Sequence, residues 1–158
     1  KDKVKVQINF MKKNNLSFSH TNYYLVDEKD KILGLMNVKK KLNYQDLIKS
    51  CDIGLSTVMI KKELLKGNSF SKYKTKEDYS LWLKIAKKNV KILGIKKNLV
   101  YWRKTKGSLS SNLWQKLTDA FKVYYSENGS IFSSLVNVGR LSINFIFKKI
   151  KQKTQIKI

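Results

Sequence analysis

The segment from Thr75 to Ala86 constrains the fold more than any other part of the chain. Tyr79, Trp82, Leu83 and Ala86 recur at helical spacing and leave one face apolar, so the stretch reads as an amphipathic helix. Thr75 stands where an N-cap would, and Asp78 follows three positions later in a capping-box pattern. The pattern alternates on both sides of this helix. Val4, Ile8 and Met11 fall at i, i+4 and i+7 and predict an opening helix that closes at Asn14-Asn15. Residues 18–26 are aromatic and strand-like, residues 27–30 form a turn, and 31–34 resume apolar character, which together predict a β-hairpin. A short helix is expected at 44–51. The apolar run 53–60 predicts a strand buried on both faces. A short helix follows at 61–65, and two short strands, 90–95 and 99–102, are expected around Lys96-Lys97-Asn98. A helix from about 113 to 125 leads to a linker at 127–130. Helices and short strands in this alternation predict an α/β domain.

Charge narrows the partners. The 158 residues carry 34 Lys+Arg against 11 Asp+Glu, a formal +23. Such a field favours anionic partners, whether nucleic acid, phosphorylated substrates or anionic lipid. Base reading relies on Arg, Asn and Gln in bidentate geometry. Only Arg103 and Arg140 are arginines and the lysines are spread along the whole chain, which disfavours nucleic acid. A lysine-rich solvated surface is the plainer reading of the same composition. With no proline and only seven glycines, the chain has no G-x-G-x-x-G and no P-loop pattern. Cys51 is the single cysteine, so no internal disulfide can form and a reducing compartment is the simpler setting. His20 is the one histidine and lies 31 positions from Cys51, so Cys51 reads as a structural thiol rather than a nucleophile. His20 itself reads as a strand or surface residue. Metal sites built from Cys and His are excluded by the count.

Four ordered pieces point to a family. Thr75-Lys76-Glu77-Asp78-Tyr79-Ser80-Leu81-Trp82-Leu83-Lys84 resembles the Glu-Asp-(aromatic)-x-Leu-Trp-Leu segment of family-2 glycosyltransferases. Upstream, Ile53-Gly54-Leu55-Ser56-Thr57-Val58-Met59-Ile60 is similar to that family's strand with a Ser-Thr step. Downstream, Leu99-Val100-Tyr101-Trp102-Arg103 and then Ser108-Leu109-Ser110-Ser111-Asn112 resemble its closing segment. The opening residues 3–14, with Gln7 and Phe10-Met11, look like the helix after the family's aspartate-rich motif.

The resemblance covers residues 1–125. It implies the C-terminal portion of a GT-A fold, with mixed short strands and flanking helices. Residues 1–126 would be the acceptor-side part of the domain, the nucleotide-binding half lying upstream of Lys1. It implies inverting transfer of a sugar from a nucleotide-sugar donor to a glycan or lipid-linked acceptor. Asp78 would be the general base, with Glu77 beside it. The helix macrodipole is expected to favour the ionised form of Asp78. Ser56 and Thr57 would line the acceptor side, and Arg103, Ser108 and Ser110 would close over the diphosphate. A divalent metal, Mn or Mg, would serve the complete enzyme, its ligands lying mostly outside this chain. Each position has a plainer alternative: Asp78 as a helix cap, Ser56 and Thr57 as polar punctuation, Arg103, Ser108 and Ser110 as a solvated loop. Trp82 and Trp102 read as core or wall, and Trp114 is left unassigned.

Residues 127–158 form a basic tail. Phe132, Val136, Ile143, Ile146 and Ile150 fall near one helical face, and Lys148, Lys149, Lys151, Lys153 and Lys157 crowd its end. Asn137, Arg140 and Asn144 interrupt it, too often for a membrane span. An amphipathic helix of this kind suits an anionic bilayer surface, or packs back on the domain. The expected setting is cytoplasmic and peripheral, at the inner face of the plasma membrane. The competing function is a non-enzymatic basic module that binds a membrane surface or nucleic acid.

Overall fold

The structure, a computed structural model, describes residues 2–105, 107, 108 and 112–155. It is a mixed α/β arrangement. In chain order it runs α1 (Lys3–Lys13), β1 (Phe18–Val26), β2 (Ile32–Met36), β3 (Lys41–Leu42), α2 (Tyr44–Lys49), a 3-10 turn (Leu55–Thr57), β4 (Met59–Ile60), a second 3-10 turn (Lys62–Leu65), α3 (Glu77–Lys87), β5 (Ile92–Arg103), α4 (Leu113–Asn128) and α5 (Ile131–Gln155). β1 is the centre of the sheet. It runs parallel to β5 along its whole length, from Phe18↔Ile92 to Val26↔Arg103. β2 and β4 share its other edge, both antiparallel, and β3 continues the sheet beyond β5.

β1 carries polar residues into the interior, and their hydrogen bonds tie the surrounding segments to the sheet. Its first five residues are all buried. Gln7 of α1 donates to Ser19 Oγ at 3.1 Å and to the Thr57 carbonyl at 3.1 Å. Asn22 accepts from the Val38 backbone at 2.9 Å and donates to Asn37 at 3.0 Å. Buried polar groups cost little only when paired in this way. The pairing of Gln7 also explains a difference in α1. Its buried face is Gln7 and Met11, and the expected contacts Val4 and Ile8 are 57% and 39% exposed.

α3 supplies the core. Tyr79, Leu81, Trp82, Leu83, Ile85 and Ala86 are all buried, against Phe18 and Ile92 of the sheet, Leu47 of α2 and Val123 of α4. Trp82 meets Phe18 edge to face with ring centroids 5.1 Å apart, so it is a core residue. Full burial of one such side chain contributes roughly 1.5–3 kcal/mol, which makes α3 the main hydrophobic anchor.

Four expectations from the sequence need correction. Residues 53–60 are not a continuous strand. Thr57 folds back on Gly54, its backbone and hydroxyl both donating to the Gly54 carbonyl at 2.9 and 2.7 Å, and only Met59–Ile60 join the sheet. The two strands expected at 90–95 and 99–102 are one strand. Its register slips from Thr21↔Ile95 to Asn22↔Asn98, so Lys96 and Lys97 form a bulge rather than a turn. Thr75 does not cap α3, because its amide and hydroxyl both serve Asp119. Lys76, with φ +67°, precedes the helix and no side chain caps it. Glu127 and Asn128, assigned to a linker, are the last residues of α4, and the break is Gly129 at φ +66°.

His20 is fully buried in β1, and neither ring nitrogen has a hydrogen-bond partner among the described residues. A Cβ built on the neighbouring Gly94 would sit 3.2 Å from its Nε2 and 2.3 Å from the Lys39 carbonyl oxygen, so this part of the sheet closes only over glycine. Burial pushes the imidazole down to about 4. Between pH 6.5 and 4 the unfolded chain takes up a proton that the folded chain refuses. Stability present above pH 6.5 is therefore lost as the pH falls through that window, by up to about 3 kcal/mol. Urea unfolding at pH 7.5 and pH 4.5 should show this loss in the wild type and a smaller loss in His20→Leu.

Candidate active site

The first turn of α3 brings two carboxylates to the surface of the core. Lys76, Glu77 and Asp78 are half-buried, whereas Tyr79 and Ser80 are buried. Asp78 Oδ1 accepts from the Tyr79 N–H at 2.7 Å. Burial raises the Asp78 carboxyl above its ordinary range; the Tyr79 N–H opposes this and Glu77 adds to it. The macrodipole was expected to favour the ionised form, but desolvation outweighs it. A carboxylate with a raised pKa is the stronger base.

The segment after α2 forms the opposite wall. The Cys51 thiol is held protonated by burial and lies within electrostatic reach of Lys76, Asp78, Lys148 and Glu77. It is a free, half-buried thiol. Ser50 Oγ donates to Asp52 Oδ1 at 2.6 Å. Lys148 of α5 reaches both, as an ion pair with Asp52 and a hydrogen-bond donor to Ser50 Oγ. Tyr23 of β1 completes the wall, its hydroxyl pushed up to about 12 chiefly by burial and then by Cys51. A Cβ on Gly54 would lie 3.5 Å from the Tyr23 ring, so the 54–57 turn packs directly on it. Trp102 stands edge-on to the same ring at 6.4 Å and is 43% exposed, a wall residue rather than core.

The other sequence candidates are placed as follows. Ser56 is exposed on the 3-10 turn. Thr57 is buried, with its hydroxyl on the Gly54 carbonyl and its own carbonyl on Gln7, so it holds the turn together. Arg103 sits at the hairpin end of the sheet. Its guanidinium donates to the Asp27 and Glu28 carbonyls at 3.2 and 3.1 Å and pairs with Asp30 at 2.6 Å, so it grips the β1–β2 turn. Ser108 is half-buried after β5. Ser110 lies outside the described residues. Among the described residues, no group of three or more His, Cys, Asp or Glu side chains converges as a metal site. The described residues by themselves therefore do not assemble a divalent-ion site. Trp114, at the start of α4, is 78% exposed.

The proteins this chain is similar to are glycosyltransferases. It is 37% identical over 116 residues to the UDP-Glc:alpha-D-GlcNAc-diphosphoundecaprenol beta-1,3-glucosyltransferase WfaP of Escherichia coli, a match covering 73% of this chain and 45% of that protein. It is 37% identical over 118 residues to WfgD of Escherichia coli, which bears the same activity name, covering 73% and 46%. An uncharacterized glycosyltransferase of Haemophilus influenzae is 28% identical over 131 residues, covering 78% and 50%. The chain spans about half the length of these curated relatives. No protein-family model matches it.

Two residues that matter here were missed in the sequence. Lys148 was grouped with the tail lysines, and nothing local distinguishes it from them. Asp119 had a signal, because it falls on the stripe of α4 that also carries Ala120, Val123 and Tyr124, all buried. An acid on a buried stripe needs partners. Asp119 is 1% exposed and accepts from Thr75 N at 2.8 Å, Thr75 Oγ1 at 2.9 Å and Gln115 Nε2 at 3.0 Å. Burial alone would raise its carboxyl, but the donors from Gln115 and Thr75 outweigh that and hold it below the ordinary range. Asp119→Ala leaves these donors without their acceptor and should cost roughly 2–4 kcal/mol. Chemical denaturation near pH 7 measures this. Because the folded value is depressed, the contribution is present above the unfolded value and fades as pH falls through the folded one. The gap between wild type and Asp119→Ala should therefore narrow in acid.

Proposed function

We propose that this chain is the acceptor-side portion of an inverting family-2 glycosyltransferase of the GT-A fold, with Asp78 as its general base. The observation that carries the reading is the half-buried Asp78 carboxyl at the start of α3, raised by desolvation and bound to the Tyr79 amide, in a chain whose relatives are glycosyltransferases. A carboxylate has lone pairs beyond the one that takes the Tyr79 N–H. Those are offered to an acceptor hydroxyl. As the hydroxyl oxygen bonds to the anomeric carbon of the donor, its proton passes to Asp78. The bond from that carbon to the diphosphate oxygen breaks, and its electron pair leaves with the diphosphate.

The substrates follow by class. WfaP and WfgD are named for transfer from UDP-Glc to a GlcNAc-diphosphoundecaprenol acceptor. We assign this chain the same kinds of partner, a nucleoside-diphosphate sugar and a lipid-linked acceptor. Both are polyanionic, which suits a chain of net charge +23. Glu77 is the neighbouring acid rather than the base, and Ser56 stands exposed on the turn that packs against Tyr23. The divalent ion of such an enzyme would be held by residues beyond those described, so the 158-residue chain alone is expected to bind no nucleotide sugar tightly and to transfer none. The single free Cys51 suits the reducing, cytoplasmic side of the membrane.

Asp78→Asn tests this in a transferase domain that contains the chain, assayed with UDP-glucose and a GlcNAc-diphospholipid. Asn still accepts the Tyr79 N–H but takes no proton, so kcat should fall by about 10²- to 10⁴-fold. The melting temperature at pH 7 should hold or rise. An acid whose folded value is raised costs stability once ionised, and the amide removes that cost. Glu77→Gln should change kcat far less. Near-normal turnover by Asp78→Asn would show the carboxylate to be structural and end this reading.

A further inference from the structure

α5 is packed inside out for a helix in water. Its inward face mixes polar side chains with an apolar patch, Leu141 and the half-buried Val138, that joins the core. Ser134 and Asn137 are buried and Leu141 is 9% exposed. Asn144 donates to the Lys49 carbonyl at 2.8 Å, and Lys148 pairs with Asp52. Phe145, 59% exposed, lies near the inward side, and most of the other large apolar residues point the other way. Phe132 is 78% exposed, Leu135 57%, Ile143 55%, Ile146 56%, Phe147 66% and Ile150 59%. At roughly 100° per residue these six fall within a stripe about 120° wide, centred opposite Leu141. A contiguous apolar stripe of this length on a free surface marks a contact site.

We propose that this stripe lies on the surface of an anionic bilayer. Charge selects that occupant. From residue 131 to the end there is no Asp or Glu, and there are six basic residues, Arg140, Lys148, Lys149, Lys151, Lys153 and Lys157. Arg140 is exposed. Pairing the stripe with a second copy would bring two wholly basic helices together, whereas anionic headgroups answer the charge while the acyl boundary takes the apolar side chains. No helix among the described residues is long and apolar enough to cross a membrane, so α5 lies in the interface plane. The inward face holds the 50–52 segment beside Asp78. The bilayer would then stand one helix diameter, about 10 Å, from that wall. That last consequence, delivery of a membrane-anchored acceptor to Asp78, rests on the sugar-transfer reading; the docking itself does not.

Vesicle sedimentation of the 158-residue chain tests the docking. Vesicles are made of phosphatidylcholine alone or mixed with phosphatidylglycerol, at low and high salt. The wild type should partition at least about tenfold more onto the anionic vesicles, and salt should reduce this. Ile143→Ser/Ile146→Ser removes two exposed apolar side chains, and should weaken partitioning by about tenfold or more while circular dichroism stays unchanged. Phe132→Ser, one stripe residue at the other end of the helix, should weaken it in the same direction. Asp78→Asn should sediment like the wild type, so the docking and transfer readings fail separately. Equal binding to both vesicle types, or no effect of the stripe variants, overturns the proposal. A dimer by light scattering that the double variant dissociates would also overturn it, assigning the stripe to a second copy.

Discussion

The buried carboxylate of Asp119 holds the candidate site in place. α3 begins without any side-chain cap, directly after a left-handed residue, Lys76. Such a start frays unless something outside the helix fixes the chain entering it. Asp119 does so from α4, gripping both the amide and the hydroxyl of Thr75. The strain at Lys76 and the position of Glu77 and Asp78 follow from that grip. The carboxylate is tolerable in the interior because Gln115 and Lys122 complete its shell.

A second buried network fixes the opposite wall. Tyr79 of α3 donates to the Leu47 carbonyl at 2.7 Å, Tyr124 of α4 donates to the Ile48 carbonyl at 2.8 Å, and the two hydroxyls lie 2.9 Å apart. The carbonyls near the end of α2 are thereby satisfied inside the protein. The chain leaves α2 in a set direction, and Ser50, Cys51 and Asp52 arrive opposite Asp78. Tyr79 thus serves twice, since its backbone amide binds Asp78 and its hydroxyl holds the far wall. A desolvated base needs this rigidity, because its raised pKa depends on the walls staying closed around it.

What could be read from the sequence, and what could not, divides by range of interaction. The stripe of α3, the hairpin of β1 and β2 and the helices α1 and α4 declare themselves through periodicity, which is local. Thr75 misled because its partner lies 44 residues away on another helix. The apolar run 53–60 has a strand's composition, and only the bond from Thr57 back to Gly54 reveals a turn. Lys96 and Lys97 read as a break in β5, yet a ladder already closed on both sides absorbed them as a bulge. At the candidate site, the pattern placed Asp78 in the first turn of a helix, and it lies there. The helix dipole suggested the wrong direction for its pKa, because desolvation depends on packing that no local pattern reports.

α5 presents different chemistry on its two faces. Its polar inward side chains would be wasteful against an ordinary core, but they meet groups that need them. Asn144 satisfies a carbonyl at the end of α2, and Lys148 answers Asp52, which would otherwise be an acid with one neutral partner, Ser50. Burial pushes the Lys148 ammonium down to about 8, against an opposing influence from Cys51, while Lys39 adds to the lowering. The apolar residues are therefore displaced to the outer face by the chemistry of the inner one. A helix free to choose would have buried Phe132, Ile143 and Ile146. It buries Ser134 and Asn137 beside Leu141 while those side chains stay on the outer face, and no acid occurs from residue 131 onward. The anionic bilayer surface proposed above would meet both demands, and it would lie one helix away from the 50–52 wall of the candidate site.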